Sequence, residues 1–193
     1  MLQRILYYKT TTSPVGSLRL MASDKGLCAV LFDGGRYNRV FFEGGLERSD
    51  EHPVLKQAEK QLKEYFAGKR KAFDVPLDMR GSVFQIRAWR ELQKIPYAST
   101  ISYGEQARRV GDANKARAVG MANGRNPICI IVPCHRVIGA SGDLTGFGGG
   151  LKTKDFLLKH EKKHGTAVAE KSGTKTTGKS KRVENMPRAA GSR

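Results

Sequence analysis

Asn126-Pro127-Ile128-Cys129-Ile130-Ile131-Val132-Pro133-Cys134-His135-Arg136-Val137-Ile138 is the stretch on which the reading of this chain turns. Cys129 to Val132 is unbroken apolar sequence, which predicts a short strand buried on both faces. Pro133 cannot donate to a sheet ladder, so it ends that strand and stiffens the turn after it. A thiol, an imidazole and a guanidinium then arrive together at a rigid, partly buried edge. If the chain carries chemistry, Cys134 carries it.

Upstream, the sequence reads as helices. Ser82-Val83-Phe84-Gln85 has capping-box spacing and opens a helix with Ile86, Trp89 and Leu92 inward and Pro96 beyond its end. Ser102-Tyr103-Gly104-Glu105 starts a second, short helix that stops at Gly111, and Asp112 caps a third from Ala113 to about Asn123. Two short helices joined at a glycine match a helix-turn-helix, a pattern that unrelated helix pairs share. The third helix sets Lys115 and Arg117 among Ala113, Ala116, Ala118 and Gly120. Small side chains permit close approach to another backbone, and the two cations suit phosphates; a tightly packed core helix would read the same way. Downstream, Gly139 to Gly150 is glycine-rich around Phe147, leaving backbone N–H groups and room for a planar ligand. Its spacing fits neither a P-loop nor a dinucleotide fingerprint, so no cofactor is expected. A last helix, Leu151 to Glu161, carries Leu151, Phe156, Leu157 and His160.

The N-terminal part reads differently. Arg4 to Thr10, Ser17 to Ala22 and Leu27 to Phe32 are strand-like runs divided by Ser13-Pro14-Val15-Gly16 and Asp24-Lys25-Gly26, with a further strand at Arg39 to Glu43. A helix from about Pro53 to Ala67 places Leu55, Ala58, Leu62, Tyr65 and Phe66 on one face, with Gly68 as its stop. Cys28 reads as a core residue. The expected organisation is an N-terminal α/β supporting domain (1–80), a helical domain that carries Cys134 and the helix-turn-helix pattern (81–161) and a basic disordered tail (162–193). The tail is too poor in apolar residues to offset its ordering entropy.

The chain has 193 residues and is 39% hydrophobic, enough for a core, and its net charge of +17 favours a polyanionic partner such as nucleic acid. No apolar run approaches the roughly 20 residues of a membrane span. Three cysteines without regular spacing argue against a disulfide framework. With no signal-peptide pattern at Met1 to Thr10, a cytoplasmic protein without membrane contact is expected.

A thiol becomes a nucleophile as its thiolate. His135 is adjacent in sequence, so on an extended chain it faces away from Cys134, and contact needs a turn or a bridging water. Glu161 could orient the imidazole. Cys129, Cys134, His135, His160 and His164 lack zinc spacing, and strand alternation puts Cys129 elsewhere in the core. Two classes survive on residues alone: a cysteine hydrolase or transferase with a Cys–His–Glu relay, and a DNA-binding protein whose cysteine is structural or redox-active. Their combination is a thiolate acting on DNA.

Pro133-Cys134-His135-Arg136-Val137-Ile138 resembles the O-6-alkylguanine-DNA alkyltransferases. The likeness extends through Val83-Phe84-Gln85, Trp89, Ile95-Pro96-Tyr97, Ile101-Ser102-Tyr103-Gly104, Ala116-Arg117-Ala118-Val119-Gly120, Asn126-Pro127, Thr145 to Gly150 and Leu157-Leu158-Lys159-His160-Glu161. It spans nearly all of 82–161, and residues 1–80 join it mainly through Pro14-Val15-Gly16-Ser17-Leu18. The resemblance implies an α+β fold, with a ribonuclease-H-like α/β domain followed by a winged helix-turn-helix alkyltransferase domain. It implies single-turnover repair without cofactor or metal: the damaged guanine is flipped out of double-stranded DNA and its alkyl group passes irreversibly to Cys134. His135 through a water takes the proton, Glu161 holds the imidazole and Asn126 braces the turn. Tyr103, the Val137 carbonyl, Phe147 and the Gly148 N–H meet the flipped base. Arg117 fills the space the base leaves, and Lys115, Ala116, Ala118 and Gly120 meet DNA, in the minor groove where most helix-turn-helix proteins use the major groove. The protein is expected to act as a monomer.

The chain departs from the family pattern in places. Phe147 stands where many relatives have tyrosine and Gly148 where some have serine. Ligands for an N-terminal zinc are missing, and three cysteines cannot supply the four-cysteine domain of the fused regulators. A rival reading is a non-catalytic alkylguanine-binding relative, but those proteins carry tryptophan where this chain has Cys134.

Overall fold

The computed structural model describes residues 5–33 and 45–165. Three strands, β1 (Leu6–Ser13), β2 (Gly16–Ser23) and β3 (Gly26–Phe32), form an antiparallel meander, and β4 (Leu46–Arg48) joins β1 in parallel, for a sheet order β3-β2-β1-β4. Both hairpins depend on glycine. Gly16 has φ +98°, and a Cβ on Gly26 would stand 2.6 Å from the Pro76 carbonyl oxygen. Alternate residues Leu18, Leu20 and Ala22 enter the core. Helix α1 (Pro53–Phe66) covers this face with Leu55, Ala58, Leu62 and Tyr65, as its 3.6-residue spacing predicts. Truncating one of these leucines to alanine costs about 2–5 kcal/mol. The expected strand at Arg39 to Glu43 lies outside the described residues, and β4 went unread because its three residues are all exposed.

In the second half, α2 (Val83–Gln93) opens with the expected capping box: Ser82 Oγ accepts from Gln85 N, and Gln85 Oε1 accepts from Ser82 N. Trp89 is buried and donates through Nε1 to Ala122 O at 2.9 Å, pinning α2 to α4 (Ala116–Gly124). Helix α3 (Tyr103–Arg109) has only half of its expected box. Ser102 Oγ accepts from Glu105 N, but the Glu105 carboxylate pairs forward with Arg108 and Arg109. Asp112 caps a single 3-10 turn, Ala113–Lys115, which runs into α4. Buried Gln106 and Asn123 exchange amide hydrogen bonds and lock α3 to α4. Short strands β5 (Ile101–Ser102) and β6 (Val137–Ile138) pair in parallel.

Two expectations fail here. Cys129 to Val132 is a tight buried turn and not a strand. Its backbone groups bond locally, Ile131 N to Cys129 O and Val132 N to Ile128 O, both at 2.9 Å. Ile130 adopts φ +73°, unusual for a β-branched residue. The turn's tie to the sheet comes just before it, where Ile128 bridges to Val30 and Pro127 O accepts from Val30 N at 2.9 Å. Apolar character here reports burial, which turn and strand share. The second failure concerns α5 (Leu151–Gly165), which runs past Glu161. Leu151 and Phe156 are exposed, and the residues it buries are Lys154, Leu157 and Glu161. The remainder of the basic tail, 166–193, lies outside the described residues.

Candidate active site

Cys134 opens a one-turn 3-10 helix (Cys134–Arg136), with its N–H bonded to Val132 O at 2.9 Å and its residue 6% exposed. The turn before it is braced by one side chain. Asn126 accepts from Ile128 N at 3.0 Å through Oδ1, and Nδ2 donates to Val132 O at 2.8 Å and to Cys134 Sγ at 3.2 Å. Amide bonding thus replaces the sheet ladder that the sequence had suggested.

The 3-10 turn also answers how adjacent residues 134 and 135 serve one site. His135 is fully buried, with Nε2 2.8 Å from Glu161 Oε1. The carboxylate makes Nε2 the protonated nitrogen and leaves Nδ1 as the acceptor; Nδ1 has no hydrogen-bond partner among the described residues. Burial holds His135 below its ordinary value of 6.5, with Glu161 opposing, so the ring is neutral near pH 7.

Glu161 is completely buried and saturated with donors. Oε1 accepts from His135, from Tyr65 OH at 3.0 Å and from Arg136 Nη2 at 3.0 Å; Oε2 accepts from Arg136 Nε and from Ala98 N, both at 2.9 Å. Burial pushes this carboxyl upward, but His135 and Arg136 outweigh it and hold the group at about 2. Ala98, like Ile130, is a non-glycine residue at positive φ, 61°, so both left-handed residues border the site.

Lys154 is also fully buried, and Nζ donates to Val137 O at 2.6 Å and Thr145 O at 2.8 Å. It ties α5 to the glycine-rich loop and stands 5.8 Å over the Tyr103 ring. Phe147 is buried edge-on against Phe32 and His135. Beside it, a cleft of about 620 Å³ is lined by Tyr103, Ala116, Arg117, Gly120, Thr145 and Gly146, among others. Thr145 donates to the Tyr103 hydroxyl at 3.2 Å.

The structure therefore unites Cys134, His135, Asn126 and Glu161 in one buried group. Tyr103, Ala116, Arg117 and Gly120 share the cleft. Gly148 lines a separate cavity with Phe32 and Val15. Ala118 is half-buried and outside the cleft lining, while exposed Lys115 pairs with Asp112 at 3.1 Å. Sequence reasoning missed Tyr65, Ala98 and Lys154 as site residues. It also sent Cys129 elsewhere, whereas Cys129 sits under the same turn and donates to Asn126 O at 3.5 Å. Strand alternation does not apply to a turn. Among the described residues no three His, Cys, Asp or Glu side chains gather as a metal-binding group.

Comparison with known proteins accords with this geometry. A family model described as 6-O-methylguanine DNA methyltransferase, ribonuclease-like domain, matches residues 6–79, and one described as 6-O-methylguanine DNA methyltransferase, DNA binding domain, matches 83–163. The methylated-DNA–protein-cysteine methyltransferase of Mycolicibacterium paratuberculosis is 49% identical over 164 residues, covering 84% of this chain and 96% of its own. Its counterpart in Methanosarcina acetivorans is 46% identical over 156 residues, covering 81% and 98%. The crystal structure of Mycobacterium tuberculosis OGT in complex with DNA superposes with a TM-score of 0.74 at 46% identity, covering 82% of this chain and 94% of that one.

Proposed function

The chain belongs to the 6-O-methylguanine DNA methyltransferase family, and on that premise we propose how its residues share the work of repair. It is a methylated-DNA–protein-cysteine methyltransferase, a DNA-binding repair protein with a ribonuclease-like N-terminal and a DNA-binding C-terminal part. The alkyl group of O-6-alkylguanine passes to Cys134 and guanine is restored. Because a thioether does not reverse, each protein acts once.

The Cys134 proton leaves through a water to His135 Nδ1, the acceptor nitrogen defined by the Glu161 contact. Glu161 stabilises the imidazolium that results. Sulfur then attacks the alkyl carbon, the carbon–O6 bond breaks, and its electron pair stays on the purine. Tyr103 supplies a proton to the departing guanine, and solvent returns one to the phenol. Asn126 keeps the sulfur aimed. The Val137 carbonyl accepts from Lys154 and retains a second lone pair for the base's amino group. Phe147 and the Gly148 N–H complete the base pocket.

DNA lies against α4. Helices α3 and α4 with the turn at Gly111 act as the helix-turn-helix, and the β6 loop acts as the wing. Ala116, Ala118 and Gly120 let α4 enter the minor groove, Arg117 occupies the space of the flipped base, and Lys115 meets phosphate. The functional division falls at 1–80, 81–161 and 162–193, and the protein works as a cytoplasmic monomer.

The observation that carries this reading is the buried thiol braced by Asn126 and set beside a His135 whose tautomer is fixed by Glu161. Mass spectrometry after mixing with duplex DNA bearing O-6-methylguanine tests it. Methyl should appear on the peptide holding Cys134, at no more than one lesion per protein. Multiple turnovers, or methyl on Cys28 or Cys129, would sink it.

A further inference from the structure

The repair reading uses the outer face of α4 and leaves a second cationic face without a task. Arg87, Arg90 and Lys94 follow one another at spacings of three and four residues, so they share one stripe of α2. All three are exposed, while the residues that α2 buries, Ala88, Trp89 and Leu92, lie on its other side. Trp89 Nε1 donates to Ala122 O and Gln106 Nε2 donates to Ala88 O, which holds that buried side against α4 and α3. The stripe therefore faces away from α3, from α4 and from any duplex lying on α4.

Cations on the other long helices meet a carboxylate one turn away. Lys63 pairs with Glu59 on α1 at 2.8 Å, and Lys159 pairs with Asp155 on α5 at 2.7 Å. On α3, Arg108 and Arg109 share Glu105. The single carboxylate of α2, Glu91, is taken by Lys94 at 2.6 Å, and Arg87 and Arg90 have no acidic partner among the described residues. Arg90 suits the negative C-terminal end of the helix. Arg87 sits mid-helix with a like charge one turn on, which opposes helix formation. An external polyanion relieves that repulsion. The cationic ridge continues onto Lys71, which lines a cavity of about 260 Å³ together with Lys94.

Resting on the repair reading, we propose that Arg87, Arg90, Lys94 and Lys71 form a second DNA-binding surface, which takes the phosphate backbone of a separate, undamaged duplex segment while α4 holds the first. At about 1.5 Å per residue the stripe from Arg87 to Lys94 is about 10 Å long. A duplex presents a phosphate about every 3.4 Å along each strand, so the stripe meets two or three of them. Phosphate contacts carry no sequence information, so any duplex serves. A protein that acts once and searches for rare damage gains from this, because it passes from one segment to the next without leaving DNA.

The test is a chase. The full chain is loaded on a fluorescent, lesion-free duplex, and release is followed as unlabelled duplex is raised through the range of non-specific binding, on the order of 1–100 µM. With two surfaces the release rate rises with competitor, because a ternary complex forms before the first duplex leaves. Arg87→Gln combined with Arg90→Gln should lose that rise while still transferring methyl from a saturating duplex bearing O-6-methylguanine. Arg87→Lys with Arg90→Lys, which keeps the charge, should retain the rise. So should Lys25→Gln with Lys60→Gln, which removes the same charge elsewhere. A release rate independent of competitor in the unaltered protein would overturn the proposal, and so would a rise that survives loss of both arginines. An equal fall in single-duplex affinity and in repair on loss of the arginines would put both contacts on one duplex and reject it as well. If the unaltered protein transfers no methyl, the repair reading fails, while the chase still decides whether two duplexes are held.

Discussion

The buried relay under Cys134 and the outer face of α4 are built on opposite plans. In the relay, His135, Arg136, Lys154 and Glu161 are all inside the protein, and every oxygen of Glu161 is occupied by donors from four other residues. On α4, Arg117 stands exposed at a cleft lined largely by small residues. The buried group is preorganised and its parts fail together; the outer face of α4, on a helix anchored from beneath by Trp89 and Asn123, turns its cations to solvent. Charge inside a protein is costly unless fully paired, whereas charge on the surface contributes little to folding.

Breaking the relay should therefore have the largest effect. Glu161→Gln leaves Arg136 buried without its anion, and thermal denaturation should report a loss of about 3–5 kcal/mol with repair abolished. Asn126→Ala removes the brace and strands buried groups of the turn. A loss of about 2–3 kcal/mol in urea unfolding is expected, with methyl transfer slowed even on the free modified base. Tyr65→Phe deletes one donor among several, so its cost should be near 1 kcal/mol, with a modest fall in transfer rate. Arg117→Ala should leave the unfolding midpoint within about 0.5 kcal/mol of the original yet slow repair of duplex DNA much more than of free base. Equal losses on both substrates would erase the contrast between the two regions.

Acidity sharpens the same contrast. Glu161 has a folded value of about 2 against an ordinary 4.5, so its contribution is complete above pH 4.5 and disappears as pH falls toward 2. His135 is depressed below 6.5, so the unfolded chain binds its proton first, and stability begins to fall below about pH 6.5. Stability measured from pH 7 downward should decline through both windows in the unaltered protein. In Glu161→Gln the lower step should vanish.

Much of this was readable from residue order. The capping box at Ser82, the helix breaks at Gly68 and Gly111 and the pairing of His135 with Glu161 all follow from local rules or from the family motif. What stayed hidden was decided by distant packing. Tyr65 looked like one more apolar face residue of α1, and its hydroxyl gained meaning only when α5 brought Glu161 to it. Lys154 carries no signal in the sequence, and only the fold puts its ammonium on two loop carbonyls. The apolar run before Pro133 was misread because burial on every side looks alike in a strand and a turn. Asn126 was the cue that separates them, since a side chain able to satisfy backbone groups removes the need for a partner strand.

The bridge between Val30 and Ile128, with the Val30 N–H on Pro127 O at 2.9 Å, has a practical consequence. It stitches β3 to the turn that leads into Cys134, and the Tyr65 hydroxyl makes a second stitch at Glu161. Polypeptides 1–80 and 81–193 produced separately are thus two pieces of one interlocking part. Fragment complementation should restore methyl transfer on mixing, and Tyr65→Phe in the first fragment should raise the concentration needed to do so.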